Sequence, residues 1–207
     1  TYEPVLIEGC DTVIKLFRHR VKQLGDKVAM REKNFGIWET FTWTEYGQKA
    51  REIGLGLISL GLKRGDVCSI VSDNNKEWLY CDMGIQGVGG VTSGVYTTDS
   101  SAQLKYLMTD SSTRFLFVEN EEQLDKFLEV GGEIPNINKV IVFDSKGLHE
   151  FQDDRVMMIE DLCKLGRKND ETQPNCWDEE VDKSMPESLM VLVYTSGTTG
   201  PPKGAMV

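Results

Sequence analysis

From Val67 to Phe143 the chain alternates between two kinds of segment. Short strand-like runs cover Val67–Ser72, Val91–Tyr96, Thr113–Val118 and Lys139–Phe143, mostly apolar except at Thr92-Ser93-Gly94, and a further apolar run, Leu189–Val193, follows later. Between them, Glu77–Gly87, Ala102–Met108 and Glu121–Val130 carry apolar residues at helical spacing. A strand with few polar positions is buried, and buried strands that alternate with helices are joined by parallel crossovers, which should be right-handed. The expected fold class is therefore α/β, with repeated β–α units forming a mainly parallel sheet flanked by helices.

The flanks read differently. Asp11–Leu24 repeats Val13, Ile14, Phe17, Val21 and Leu24 at three- and four-residue spacing, with Asp11 as the expected N-cap and Gly25 as the stop. Val28–Arg31 and Ile37–Trp43 form a hairpin pattern around a turn at Lys33–Gly36. Thr42 to Glu45 fits a capping box, opening a helix that runs to about Leu60, with Gly61 at its end. Gly87, Gly89, Gly90 and Gly94 bracket the start of a strand. Packing of helix against sheet is favoured there over a ligand site, because no hydroxyl or lysine cluster accompanies them. Val156–Leu165 suits a strand and a short helix. The acid-rich stretch 166–184 reads as a solvated connector.

Charge narrows the function. The formal net charge is −10, the wrong sign for gripping nucleic acid across a broad face. No apolar run approaches the roughly 20 residues of a membrane helix, and no secretory signal pattern opens the chain. The five cysteines show no C-x-x-C pair, which suggests free thiols in a reducing compartment and no zinc site. His19 and His149 stand far apart, so no histidine-based triad is visible.

The densest chemistry lies at Tyr194–Gly204, directly after the last apolar run. A phosphate chain presents many acceptor oxygens and several negative charges. Gly197, Gly200 and Gly204 let backbone N–H groups come close and permit positive φ. Thr195, Ser196, Thr198 and Thr199 supply hydroxyl donors, and Lys203 a compact cation. Pro201 and Pro202 stiffen the segment. The spacing is not the Walker pattern, where lysine directly follows a glycine and opens a helix, nor the dinucleotide pattern G-x-G-x-x-G. An ordinary Gly/Pro surface loop would not need this whole ordered set.

The run Tyr-Thr-Ser-Gly-Thr-Thr-Gly, then Pro-Lys-Gly after Pro201, resembles the signature loop of the adenylate-forming superfamily, which includes acyl-CoA synthetases, luciferases and peptide-synthetase adenylation domains. The resemblance extends along the chain. Phe41–Tyr46 resembles that family's strand-to-helix signature, and Gly61–Val67 its next turn and strand. Gly94–Gln103 resembles the corresponding segment of AMP-forming long-chain acyl-CoA synthetases and lacks the Asn-Pro pair of many short-chain and aryl members.

On this resemblance, residues 1–207 are the first part of the large N-terminal domain of such an enzyme, with a polar connector near 166–184 and the phosphate-binding loop at 194–204. The implied activity is ATP-dependent activation of a carboxylic acid, a long-chain fatty acid in the favoured branch. It passes through an acyl-adenylate to acyl-CoA and releases AMP and pyrophosphate. The implied ATP contacts are Thr195, Ser196, Gly197, Thr198, Thr199, Gly200 and Lys203. ATP, Mg²⁺ and coenzyme A are the implied cofactors and co-substrates, with no catalytic residue and no Mg²⁺ ligand assigned within these residues. The setting implied is cytoplasmic, with peripheral contact to a membrane surface compatible with it. An adenylation domain with another acceptor, a luciferase-like oxygenase, a non-catalytic nucleotide-binding module and, least favoured, a phosphotransferase stay open at this point.

Overall fold

The computed structural model describes residues 5–195 and 200–207, which divide into two compact units. One comprises residues 1–61, 75–89 and 163–188, the other 62–74, 90–162 and 189–207.

The second unit holds a seven-stranded sheet built from β3 (Val67–Val71), β4 (Val91–Val95), β5 (Phe115–Val118), β6 (Lys139–Val142), β7 (Val156–Met158), β8 (Val191–Thr195) and β9 (Lys203–Met206). Its order is β7-β6-β5-β3-β4-β8-β9, parallel throughout except for the antiparallel β8–β9 pair. The mainly parallel α/β expectation therefore holds, and the apolar runs are the strands. Every residue of β3 and of β5 is buried, which is why their sequences show no alternation. The helices α4 (Ser101–Asp110) and α5 (Glu121–Val130) supply Leu104, Met108, Leu124 and Phe127 to a core shared with Leu116, Val118, Val140 and Val142. Ser100 and Gln103 close a capping box on α4, and Asn120 caps α5 by accepting from Gln123 N–H.

The first unit contains α1 (Val13–Leu24), the hairpin β1 (Val28–Asn34) and β2 (Ile37–Thr42), α2 (Trp43–Ser59), α3 (Lys76–Gly87), α6 (Ile159–Thr172) from residue 163 onward, and α7 (Cys176–Asp182). Thr42 and Glu45 form the expected capping box. The N-cap of α1 is Thr12 rather than Asp11: the Thr12 hydroxyl accepts from Lys15 N–H, while the Asp11 carboxylate binds Lys15 Nζ at 2.9 Å. Phe17 and Tyr46 meet edge to face at 4.7 Å.

The stretch 166–184 is not a solvated connector. It carries the second half of α6 and all of α7, with Trp177 and Val181 buried one helical turn apart. Its acids are partners. Arg51 binds Asp170 through Nε and Nη2 at 3.0 and 2.6 Å, and Arg18 binds Asp178 at 3.1 Å. Gly87 and Gly166 show how closely these helices pack. A Cβ on Gly87 would stand 2.1 Å from the Trp177 ring, and one on Gly166 would stand 1.8 Å from the Glu52 carbonyl oxygen.

Candidate functional site

In an open parallel sheet, ligand sites form outside the carboxyl ends of the strands, where the connecting loops gather. β4 and β8 are parallel neighbours, so the segments that follow them leave the same end of the sheet. After β4 come Tyr96 to Ser100 and then α4. After β8 comes the glycine-rich segment, which returns as β9. The two form a hairpin whose register pairs Thr195 with Lys203 and Tyr194 with Gly204.

This geometry relocates one predicted residue. Lys203, expected inside the loop, opens β9 and lies opposite Thr195 at the base of the loop; both are exposed. A hydroxyl and an ammonium therefore flank the point where the chain enters and leaves the turn. Gly200 adopts φ +94°, the left-handed region that a side chain would strain. Ser196, Gly197, Thr198 and Thr199 lie outside the described residues.

Two tyrosines fasten the hairpin to α4. Tyr106 Oη donates to the Pro202 carbonyl oxygen at 2.9 Å, and Tyr194 Oη donates to Asp110 Oδ2 at 2.7 Å. Burial, reinforced by the hydrogen bond to Asp110, pushes the Tyr194 phenol well up, so it stays protonated and remains a donor. Gly204 allows the close crossing, since a Cβ there would stand 3.2 Å from the Tyr194 ring.

Beneath the hairpin lies a cavity of about 610 Å³, bounded by the ends of β4 and β8, by α4 and by Pro201 and Pro202. Its walls are largely apolar, with Val95, Leu107 and Val193 among them, and Asp99 and Gln103 supply polar groups. Burial pushes the Asp99 carboxyl up against the opposing pull of the Lys126 charge. Gly94 is exposed and lines this cavity, so the packing expected for it gives way to the alternative of a ligand-facing position. Gly87, by contrast, does pack, against Trp177.

The arrangement suits an anion at the mouth and an apolar group below it. Thr195 and Lys203 offer a hydroxyl and a cation, while Gly200 supplies open backbone beside them. Among the described residues, no group of three or more His, Cys, Asp or Glu stands together as a metal site. Sequence reasoning missed Tyr106 and Asp110, which hold the hairpin in place. Neither belongs to a local motif; they sit one helical turn apart on α4, and only the fold brings them to the loop.

A family model described as AMP-binding enzyme matches residues 17–207. The chain belongs to the AMP-binding enzyme family. Within that family it is 31% identical over 196 residues to the long-chain-fatty-acid–CoA ligase ACSBG1 of Homo sapiens, covering 95% of this chain and 26% of that protein. It is equally 31% identical over 198 residues to the long-chain-fatty-acid–CoA ligase ACSBG2 of Xenopus laevis, covering 95% of this chain and 26% of that protein. The chain thus spans about a quarter of the length of these relatives. Among solved AMP-binding folds, the anthranilate CoA ligase AuaEII in complex with anthranoyl-AMP superposes with a TM-score of 0.77 at 22% identity, over 93% of this chain and 34% of that one. A fatty acyl-adenylate ligase from L. pneumophila, in complex with acyl adenylate and pyrophosphate, gives 0.69 at 18% identity, over 96% and 30%. The resemblance drawn from Tyr194–Gly204 and the upstream segments is therefore correct at the level of family and fold. No helix among the described residues is long and apolar enough to cross a membrane.

Proposed function

We propose that this chain is the N-terminal portion of an ATP-dependent acid–thiol ligase that acts on long-chain fatty acids, and that residues 194–204 hold the pyrophosphate end of ATP. The observation that carries this reading is the family match through residue 207, together with Thr195 and Lys203 facing each other across the loop base. The identities to fatty-acid–CoA ligases support the fatty-acid substrate and coenzyme A as acceptor.

A carboxylate resists attack by a thiol because it is anionic and has a poor leaving group. Attack of its oxygen on the α-phosphorus of ATP, with loss of pyrophosphate, makes an acyl-adenylate with a better one. Coenzyme A then displaces AMP. In that sequence the loop's work is electrostatic. Thr195, Ser196, Thr198, Thr199 and the N–H groups at Gly197 and Gly200 would donate to the phosphate oxygens. Lys203 would offset the charge that builds on the leaving pyrophosphate. Mg²⁺, when bound, would neutralise part of the phosphate charge. The chain by itself is read as incomplete for turnover. A substrate of this kind partitions into lipid, so peripheral contact with a membrane from the cytoplasmic side belongs to the same reading.

The test is Lys203→Ala in the full-length protein. Loss of one charge-assisted contact costs about 1.5–3 kcal/mol, so ATP–pyrophosphate exchange should slow by roughly ten- to a hundredfold. Unchanged exchange would remove Lys203 from the site, and release of ADP in place of AMP would overturn the adenylation reading.

A further inference from the structure

The hairpin β1–β2 is a two-stranded sheet of its own, and its two faces differ. The register sets Met30 opposite Phe41, Glu32 opposite Glu39 and Asn34 opposite Ile37 on one face. Arg31 opposite Thr40 and Lys33 opposite Trp38 make the other. The first face is tied down. Lys76 Nζ on α3 binds Glu32 Oε2 at 2.8 Å and stands 5.4 Å over the Phe41 ring. The second is exposed: Arg31, Lys33 and Trp38 face solvent, with Lys33 Nζ 5.8 Å over the indole. No carboxylate stands in the register on that face.

The turn adds a second observation. Phe35 and Gly36 both take positive φ, +44° and +85°, as a two-residue hairpin connection requires. Glycine meets that demand without strain; a phenylalanine does not. Phe35 is nonetheless 100% exposed, beside Ile37 at 69% and Trp38 at 62%. Its ring packs on nothing among the described residues, while its backbone is disfavoured. Strain held at a fully exposed aromatic tip points to a partner outside the fold.

We propose that this hairpin docks on an anionic lipid surface, with Phe35 at the tip and Trp38 entering the headgroup boundary and Arg31 and Lys33 pairing with anionic headgroups. Indole and phenyl rings at the tip of a narrow element suit the interface between water and acyl chains. A chain of net charge −10 is repelled by an anionic bilayer as a whole, so attraction must come from a local face of opposite sign, and this face supplies it. Single-stranded nucleic acid uses a similar mix of rings and cations but needs a basic groove that tracks its backbone, which one hairpin does not provide.

The inference deepens the peripheral contact named above and rests on that part of the reading. Its test is separate, because vesicle binding needs no ATP and exchange needs no vesicles. The full chain is sedimented with phosphatidylcholine vesicles, with and without phosphatidylserine. Binding should require phosphatidylserine and weaken as salt rises. Phe35→Asn keeps a residue that tolerates the left-handed region, so circular dichroism should be unchanged while affinity falls about tenfold. Trp38→Ala is the second probe should the turn variant misfold, with a comparable loss. Lys33→Gln should lower affinity about fivefold, on anionic vesicles only. No vesicle binding by the parent chain, equal binding by folded Phe35→Asn and Trp38→Ala, or tighter binding to a single-stranded oligonucleotide than to vesicles would each overturn the proposal.

Discussion

The two units reach compactness by different chemistry. In the sheet unit, β3, β5 and the inner faces of α4 and α5 bury side chains with almost no polar atoms, and the strands hydrogen-bond one another directly. In the helical unit, arginines on α1, α2 and α6 reach acids on neighbouring helices, and glycines let those helices approach. One unit relies on removing apolar surface from water; the other adds a mesh of charges to a smaller apolar centre. The lesson concerns reach. Apolar burial is written in each segment separately, whereas an ion pair needs both partners, and Arg51 and Asp170 are separated by 119 residues.

The largest effect is expected in the sheet unit. Phe117→Ala removes a fully buried ring from β5 and should cost about 3–5 kcal/mol in denaturant unfolding, a loss that salt leaves unchanged. The intermediate effect belongs to the helical unit. Glu52 is 5% exposed, and Arg167 Nη1 binds its carboxylate at 2.8 Å. Arg167→Ala leaves that buried acid with Lys49 and Gln48 for partners and should cost about 1–3 kcal/mol. If Phe117→Ala proves milder than Arg167→Ala, the division of labour drawn above is wrong.

The smallest effect is a pH dependence at the hairpin. Burial pushes the Glu32 carboxyl up, but hydrogen bonds from Lys76 Nζ and the Lys76 N–H outweigh it and hold the group below the ordinary carboxylate range. A depressed carboxyl contributes stability that is present above its unfolded pKa and lost as pH falls through the folded value. Unfolding followed from neutral to acid should therefore lose up to about 1 kcal/mol through this pair, and Lys76→Met should flatten that part of the curve.

These differences also explain what the sequence could and could not disclose. The strands of the sheet unit were readable because burial on both faces leaves an apolar run. The capping box at Thr42 and Glu45 was readable because its partners are three residues apart. The stretch 166–184 was misread because its acids look solvated until Arg18 and Arg51 are placed beside them. Its one local clue, Trp177 and Val181 four residues apart, was too brief to set a period. At the candidate site, the loop chemistry stood in consecutive letters. The tyrosine fastenings did not, since Tyr106 and Pro202 are 96 residues apart. Lys203 was placed in the loop as the cation of the Tyr194–Gly204 run; its pairing with Thr195 across the hairpin makes it a strand residue at the loop's base.

The sheet's strand order has a consequence for synthesis. β4 is complete at Val95, yet the neighbour that covers its outer side, β8, emerges from the ribosome only roughly a hundred residues later. At about 5–20 residues per second, the nascent chain carries an open strand edge, with its unpaired N–H and C=O groups, for on the order of 5–20 s. For that interval the protein depends on its own dilution, or on a chaperone, and a slow-codon stretch ahead of Val191 would lengthen the exposure.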